Sequence, residues 1–91
     1  MNYRLIIKPS IYKDLKKLPA YEVKHIWQDI QSLKVNPRPE GVVKLHGFKD
    51  MYRIRSGKYR VIYSIFDKEL IVKALLVAHR KDVYKNISIF A

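Results

Sequence analysis

Hydrophobic positions recur every three or four residues through the first third of the chain, after one short apolar run. The run at residues 3–8 is rich in strand-forming side chains and stops at Pro9, which predicts a first strand. Ser10 is expected to N-cap a helix over residues 11–18, and Pro19 separates that helix from a second one over about residues 20–35. The apolar side chains fall on one face of each helix: Ile11, Leu15 and Leu18 on the first, and Val23, Ile26, Trp27, Ile30 and Leu33 on the second. The two helices are therefore predicted to form a hairpin with one apolar side.

The period of the pattern changes from 3.6 to 2 after "NPRPEG" at residues 36–41, because its prolines and glycine can continue neither a helix nor a central strand. Three later segments, "MYRIR", "KYRVIYSIF" and "LIVKALLVAH", are predicted to be strands joined by the short turns "SG" and "DK". The predicted order is β-α-α-β-β-β with a short C-terminal helical turn. It indicates a single α+β domain over residues 1–91, in which an antiparallel meander of three to four strands carries the two N-terminal helices on one face.

Hairpin pairing predicts that cations collect on the other face of this sheet. A turn at Ser56 and Gly57 places Arg55 opposite Lys58 and Arg53 opposite Arg60, and directly opposite side chains share a face. A second turn at residues 67–68 adds Lys73 and His79 to the same face. The apolar face then receives alternate residues of the last strand, namely Leu70, Val72, Ala74, Leu76 and Ala78. Like charges opposite each other destabilise a sheet, so stability does not explain the arrangement.

The charge of the chain indicates what such a face would bind. Nineteen Lys and Arg against eight Asp and Glu give a net charge of +11, which favours nucleic acid as a partner first and an acidic protein second. A merely solvated face would be expected to mix both signs, but residues 51–60 contain cations and no carboxylate. Guanidinium groups suit phosphate because they donate paired hydrogen bonds and stay charged.

Composition removes several other classes of protein. With 48% hydrophobic residues the chain is globular rather than disordered, and its longest apolar stretch, at residues 74–78, is too short for a membrane helix. The N-terminal pattern is not that of a signal peptide, so a cytoplasmic protein is expected. Without cysteine, and with scattered histidines and few carboxylates, neither a metal site nor a cofactor is expected.

Three motifs, "KLHG", "YRIRSGKYRVIY" and "HRKDVY", make the chain resemble the RelE/ParE superfamily of type II toxins, and in particular its RelE branch, which cleaves messenger RNA on the ribosome. The last two motifs together carry most of the resemblance. It implies a concave cationic sheet face that receives RNA. It also implies two kinds of partner. One is the ribosome with its mRNA, and the basic surface would contact the ribosomal RNA. The other is a small acidic cognate antitoxin that holds the toxin inactive.

The resemblance also implies roles for individual residues. Arg60 and Arg80 match arginines of the family and are the candidates for binding the scissile phosphate, and Tyr84 matches its C-terminal tyrosine. Arg53 and Arg55 stand where some members have catalytic lysines. Since arginine cannot lose its proton, electrostatic roles are expected for both. The candidate catalytic set is Arg60, Arg80, His79, Tyr84 and Arg55, and the candidate RNA-binding set is Arg53, Lys44, His46, Lys58, Lys73 and Lys81.

The expected reaction is metal-free attack of a 2′-hydroxyl on the adjacent phosphate. It needs a base, cations and an acid, and the sequence leaves open which of His79 and Tyr84 moves which proton. Two alternative functions also remain at this point. One is a ParE-like inhibitor of DNA gyrase, and the other is a nucleic-acid-binding module without catalysis, for which the cationic face alone suffices.

Overall fold

A computed structural model describes residues 2–90. The elements are β1 (Arg4–Ile7), α1 (Ser10–Lys16), α2 (Ala20–Ser32), β2 (Val43–Lys44), β3 (Met51–Ser56), β4 (Tyr59–Phe66), β5 (Ile71–His79), α3 (Val83–Asn86) and a 3₁₀ turn over Ile87–Phe90. The predicted α+β class and C-terminal helical turn are confirmed, and the element order agrees with the prediction except for one additional strand, β2. The five strands lie in the order β1-β5-β4-β3-β2.

The sheet is mixed, and the prediction of a purely antiparallel meander was wrong in this respect. β1 pairs with β5 in parallel: the two-helix crossover carries the chain from β1 to the opposite edge of the sheet, and the antiparallel strands β2 to β5 then lead back until β5 lies beside β1. The short strand β2 adds an edge that the sequence pattern did not indicate, pairing only Val43 and Lys44 with β3. Among residues 2–90, no helix is long and apolar enough to cross a membrane.

The helices α1 and α2 cover one face of the sheet, as predicted, and we call this side the helix face. Its core joins the helix stripe to alternate strand residues: Ile11, Leu15, Ile26, Ile30, Leu33, Tyr52, Ile54, Val61, Tyr63, Ile65, Val72, Ala74 and Val77. Three helix boundaries differ from the prediction. The helix α1 ends at Lys16 rather than at residue 18. Ser10 is the first helical residue rather than the N-cap and makes no capping hydrogen bond, and α2 ends at Ser32.

The turn between β3 and β4 lies one residue later than predicted. Gly57 and Lys58 are its central residues, and Gly57 has φ +59°, which suits the first position of a type II′ turn. Arg55 therefore pairs with Arg60 rather than with Lys58. Since the shift moves every partner by two positions, each strand residue keeps its predicted face.

The pairing of β4 with β5 departs from the prediction in a way that changes faces. Four residues, 67–70, separate Phe66 from its partner Ile71, and a β-bulge interrupts the register between Ile62 and Tyr63. Beyond the bulge, Ala78 pairs with Arg60 and His79 pairs with Tyr59. One extra residue inverts the alternation of all that follow it. The predicted placement of Leu76 and Ala78 on the helix face, and of His79 on the cationic face, was therefore wrong.

Leu76 and Ala78, which the bulge turns away from the helices, join a second, smaller core on the opposite side of the sheet. Residues 83–90, which we call the C-terminal segment, supply part of it. The cluster contains Leu45, Met51, Ile62, Leu76, Ala78, Val83 and Ile87, with Phe48, Leu75 and Phe90 packed against it. At the end of the segment, the Lys8 ammonium lies 4.8 Å from the Phe90 ring centroid. The face that was predicted to be open is thus partly covered.

A polar network fixes the loop after α2 to the turn between β4 and β5. Arg38 donates to both carboxylate oxygens of Asp67, at 3.1 and 2.9 Å, and the Tyr3 hydroxyl donates to Asp67 at 2.7 Å. These hydrogen bonds lower the pKa of Asp67 to about 2, and those from Arg38 have the largest effect. The hydroxyl of Tyr63, which is fully buried, donates to the Pro37 carbonyl at 2.6 Å.

Candidate functional site

Four arginines meet on the face opposite the helices, near the turn between β3 and β4, and we call this side the arginine face. Arg53 and Arg55 alternate along β3, and Arg55 is directly opposite Arg60 of β4. The backbone N–H of Arg80 donates to the Lys58 carbonyl at 2.8 Å, which holds the end of β5 against the turn. The structure thus brings together the arginines that the sequence analysis selected.

Burial and repulsion between the cations both act on this cluster. Partial burial lowers the pKa of Arg60 below its usual range, and the charges of Arg55, Arg53 and Arg80 lower it further. The Nη1 of Arg60 donates hydrogen bonds to the carbonyls of Gly57 and Tyr59, at 3.1 and 2.9 Å. These two contacts hold the Arg60 guanidinium in place. A fixed cation beside three others is poised to gain from a bound anion.

Tyr84 joins the arginines through the C-terminal segment. Val83, which is fully buried in the second core, anchors the start of α3, while the Tyr84 side chain is 59% exposed. Arg53 Nη1 donates a hydrogen bond to the Tyr84 hydroxyl oxygen at 2.5 Å. The Nε of Arg53 is buried and has no hydrogen-bond partner within residues 2–90. The sequence motif indicated Tyr84 as a candidate, but the hydrogen bond to Arg53 could not be predicted because it forms only when α3 is docked on the sheet.

His79 does not face the arginines, because the bulge turns it toward the helices. Its ring packs edge to face with the Tyr59 ring, with centroids 5.5 Å apart and an interplanar angle of 84°. It lines a cavity of about 290 Å³ with Asp14 of α1, with Lys17, which follows α1, and with Asp82. The imidazole and the arginine cluster thus lie on opposite sides of the sheet, and the fold does not bring His79 into the groove beside Arg60.

The RNA-binding candidates divide between several places. Lys73 is exposed and pairs with Ser64 on the arginine face, as predicted, and Lys58 lies in the turn beside the cluster. Lys81 is exposed in the turn that follows β5. Lys44 pairs with Tyr52, a residue of the helix face, and His46 lies in the loop before β3, at the end remote from Gly57. Within residues 2–90 there is no cluster of three or more His, Cys, Asp or Glu side chains able to hold a metal ion.

Sequence reasoning missed a second surface, an apolar groove of about 630 Å³ between α1 and α2, which we call the hairpin groove. It is lined by Tyr12, Leu15, Lys16, Leu18, Ala20, Val23, Lys24 and Trp27. Tyr12 is 49% exposed, and its ring centroid lies 6.1 Å from that of Trp27. The sequence did contain a signal for this groove, namely an aromatic residue beside lysines on each helix. The hydrophobic pattern instead assigned such residues to the core or to a solvated face.

Comparison with known proteins identifies what this arrangement is similar to. Residues 5–84 match the family model of the ParE toxin of the type II toxin–antitoxin system parDE. The RelE1 protein of Methanocaldococcus jannaschii is 34% identical over 89 residues, covering 94% of this chain and 99% of the relative.

Solved structures give the same picture. The archaeal RelE–RelB complex of Pyrococcus horikoshii OT3 matches with TM-score 0.78 and 35% identity, covering 88% of this chain and 97% of that one. A mutant of the Escherichia coli toxin RelE in the free state matches with TM-score 0.77 and 26% identity, covering 99% and 98%.

Proposed function

The chain belongs to the RelE/ParE superfamily and is a RelE-like toxin of a type II toxin–antitoxin system, and on that premise we propose that it is a ribosome-dependent endoribonuclease that cleaves mRNA without a metal ion. The observation that carries the proposal is the group of Arg53, Arg55, Arg60 and Arg80 on one face with Tyr84 beside them. A binding surface needs only the charges. A hydroxyl held by one of those guanidinium groups adds a means of proton transfer.

In the proposed reaction the 2′-oxygen of the substrate bonds to the adjacent phosphorus as its proton leaves to solvent. The bond from phosphorus to the 5′-oxygen then breaks, giving a 2′,3′-cyclic phosphate and a 5′-hydroxyl. Charge on the phosphate grows toward the transition state, and Arg60 and Arg80 would stabilise it with paired hydrogen bonds. Arg55 lies opposite Arg60 and makes the local electrostatic potential more positive. Its guanidinium stays charged, so it neither gives nor takes a proton in the reaction.

We assign the general acid to Tyr84. Its oxygen accepts a hydrogen bond from Arg53, so its own proton is free for another acceptor. When that proton passes to the leaving 5′-oxygen, the guanidinium stabilises the phenolate that remains, and a proton from solvent then restores the phenol. His79 lies on the helix face and is assigned neither proton transfer.

Dependence on the ribosome follows from the small number of groups available for proton transfer. Arginines cannot deprotonate the attacking hydroxyl at any relevant pH, so the rate depends strongly on in-line alignment of the 2′-oxygen and the leaving oxygen. A structured substrate complex supplies such alignment. The exposed cations Lys58, Lys73 and Lys81 extend the positive surface along which the RNA would be held.

Mapping of transcript ends during induced expression, with and without active translation, tests the proposal. We expect new 5′ ends in translating cells with the wild-type chain. Arg60→Ala, Arg80→Ala and Tyr84→Phe should each lower cleavage by about 10²- to 10³-fold, the usual loss when one transition-state donor is removed. Lys68→Ala, an equal loss of charge in the exposed turn after β4, is the matched control. Full cleavage by Arg60→Ala and Arg80→Ala would rule out the proposal.

We further propose that a cognate acidic antitoxin places an amphipathic helix in the hairpin groove. RelE structures occur in complex with RelB antitoxins, and this groove offers an apolar floor edged by Lys16 and Lys24, which complements an acidic helix. Trp27→Ala should weaken capture of the antitoxin encoded beside the gene. Unchanged affinity would place the antitoxin elsewhere.

Inhibition of DNA gyrase is the second candidate, and the match to the ParE family model favours it. Such an activity needs a binding surface but no acid–base group. Loss of supercoiling by purified gyrase, unaffected by Tyr84→Phe and without new transcript ends, would support this alternative over RNA cleavage.

A further inference from the structure

His79 ends β5 and makes two contacts with the turn that follows it. Its Nδ1 accepts a hydrogen bond from the backbone N–H of Lys81 at 3.1 Å, and its carbonyl accepts one from Asp82 N–H at 2.8 Å. The ring also packs against Tyr59 in a T-shaped arrangement. One residue thus satisfies two consecutive amides and closes the turn by which the chain leaves the sheet.

This turn connects two groups of the arginine face. Arg80 lies within it and is tied to the Lys58 carbonyl at 2.8 Å. Asp82 immediately precedes α3, whose second residue, Tyr84, meets Arg53. A change in the path of residues 79–82 would displace Arg80 and Tyr84 together, although His79 lies on the helix face.

We infer that His79 is a positioning residue, which holds Arg80 and Tyr84 in register by accepting the Lys81 amide. The inference deepens the proposed function and rests on it for the consequence in cleavage, but not for the consequence in structure. It requires an acceptor at the place of Nδ1 and no proton transfer by the ring. A nitrogen that accepts a backbone amide is not free to take a proton from a substrate.

Within residues 2–90 the Lys81 amide has one hydrogen-bond partner, the Nδ1 of His79. Asp14 of α1, Asp82 of the turn and Tyr59 of β4 line the cavity around the ring, but none of them hydrogen-bonds to that amide. Loss of the acceptor therefore leaves the exposed Lys81 amide to solvent and removes the contact that fixes the turn to the ring.

Substitution by Asn and by Gln separates positioning from catalysis. In His79→Asn the amide oxygen stands the same number of bonds from the backbone as Nδ1 and can accept the Lys81 amide, but it cannot serve as a base. In His79→Gln the oxygen is one bond too far, and His79→Ala has no acceptor. We expect cleavage within about threefold of wild type for Asn, and about tenfold slower for Gln and Ala, the loss expected for one hydrogen bond.

A readout that does not depend on RNA chemistry keeps the inference separate from the proposed function. In ¹H–¹⁵N and aromatic NMR spectra of the full chain, His79→Gln should move the Lys81 amide proton upfield and shift the Tyr84 ring signals. His79→Asn should restore both. If the wild type cleaves no RNA, the proposed function fails, while these spectra still decide the role of His79.

Two results would overturn the inference. One is unchanged Lys81 and Tyr84 signals in His79→Gln. The other is a His79→Asn variant with wild-type spectra that cleaves as slowly as the Ala variant, which would make the imidazole itself a participant in the chemistry. Because the Asn and Gln variants differ only in the position of the acceptor, the comparison holds even if His79→Ala fails to fold.

Discussion

The opposed arginines of the hairpin lead to a prediction in which losing a charge stabilises the protein. Arg55 and Arg60 are directly opposite each other in the ladder between β3 and β4, and the pKa of Arg60 is lowered partly by the charge of Arg55. Arg55 is exposed, and within residues 2–90 its side chain forms no hydrogen bond or ion pair. Arg55→Gln therefore removes repulsion without removing a side-chain hydrogen bond or an ion pair.

The expected gain follows from cross-strand pair energies. Like charges directly opposite cost about 0.2–1 kcal/mol, so Arg55→Gln should raise the free energy of unfolding by about that amount. For a domain of this size 1 kcal/mol shifts the melting temperature by about 4–8 °C, so a rise of about 1–8 °C is expected. At about 1 M salt the Debye length falls to about 3 Å and most of the gain should disappear.

The measurement is thermal and urea unfolding of the wild type and variants in a buffer without phosphate, at low and high NaCl. Arg55→Lys keeps the charge and should resemble the wild type, and Lys68→Gln controls for the change in net charge. A variant that is less stable than the wild type, or a gain that persists at high salt, would refute the argument that repulsion at this pair is maintained at the expense of stability.

Two further predictions concern the helix face and the polar network. Tyr63→Phe should lower the free energy of unfolding in urea by about 1–3 kcal/mol, because the buried Pro37 carbonyl loses its hydrogen-bond donor; an unchanged midpoint would contradict this. Asp67 has a pKa of about 2 in the folded chain, below its unfolded value, so its contribution to stability is fully present above about pH 4 and is lost as the pH falls toward 2. Between pH 4 and 2 the melting temperature should therefore fall more steeply for the wild type than for Asp67→Asn, and parallel curves would contradict the role of Arg38 in holding the carboxylate.

Much of the site followed from alternation along the strands. Arg53, Arg55 and Arg60 were assigned to one face on the assumption of a turn at Ser56 and Gly57, and the true turn is one residue later. The assignment survived because moving a two-residue turn by one position changes every partner by two, which preserves faces. The boundaries and partners were wrong, but the chemistry that depended on the face was not.

The position of His79 shows where this reasoning fails. A single bulge between Ile62 and Tyr63 inverts the faces of the rest of β5, so His79 turns to the helices and Ala78 joins Arg60. The bulge allows Leu76 and Ala78 to pack with Val83 and Ile87, which lie outside the two paired strands. No local pattern in "LIVKALLVAH" carries that information.

The sequence by itself determined the α+β class, the helical hairpin and the gathering of arginines, because hydrophobic periodicity and strand alternation are local properties of the chain. Only the tertiary structure decided the parallel pairing of β1 with β5, the bulge, and the docking of the C-terminal segment that brings Tyr84 to Arg53. Each of these three features depends on contacts between residues that are distant in sequence, and such contacts form only when the whole core is packed. The arginine face could thus be predicted from the chain, but the hydroxyl that completes it could not be placed without the fold.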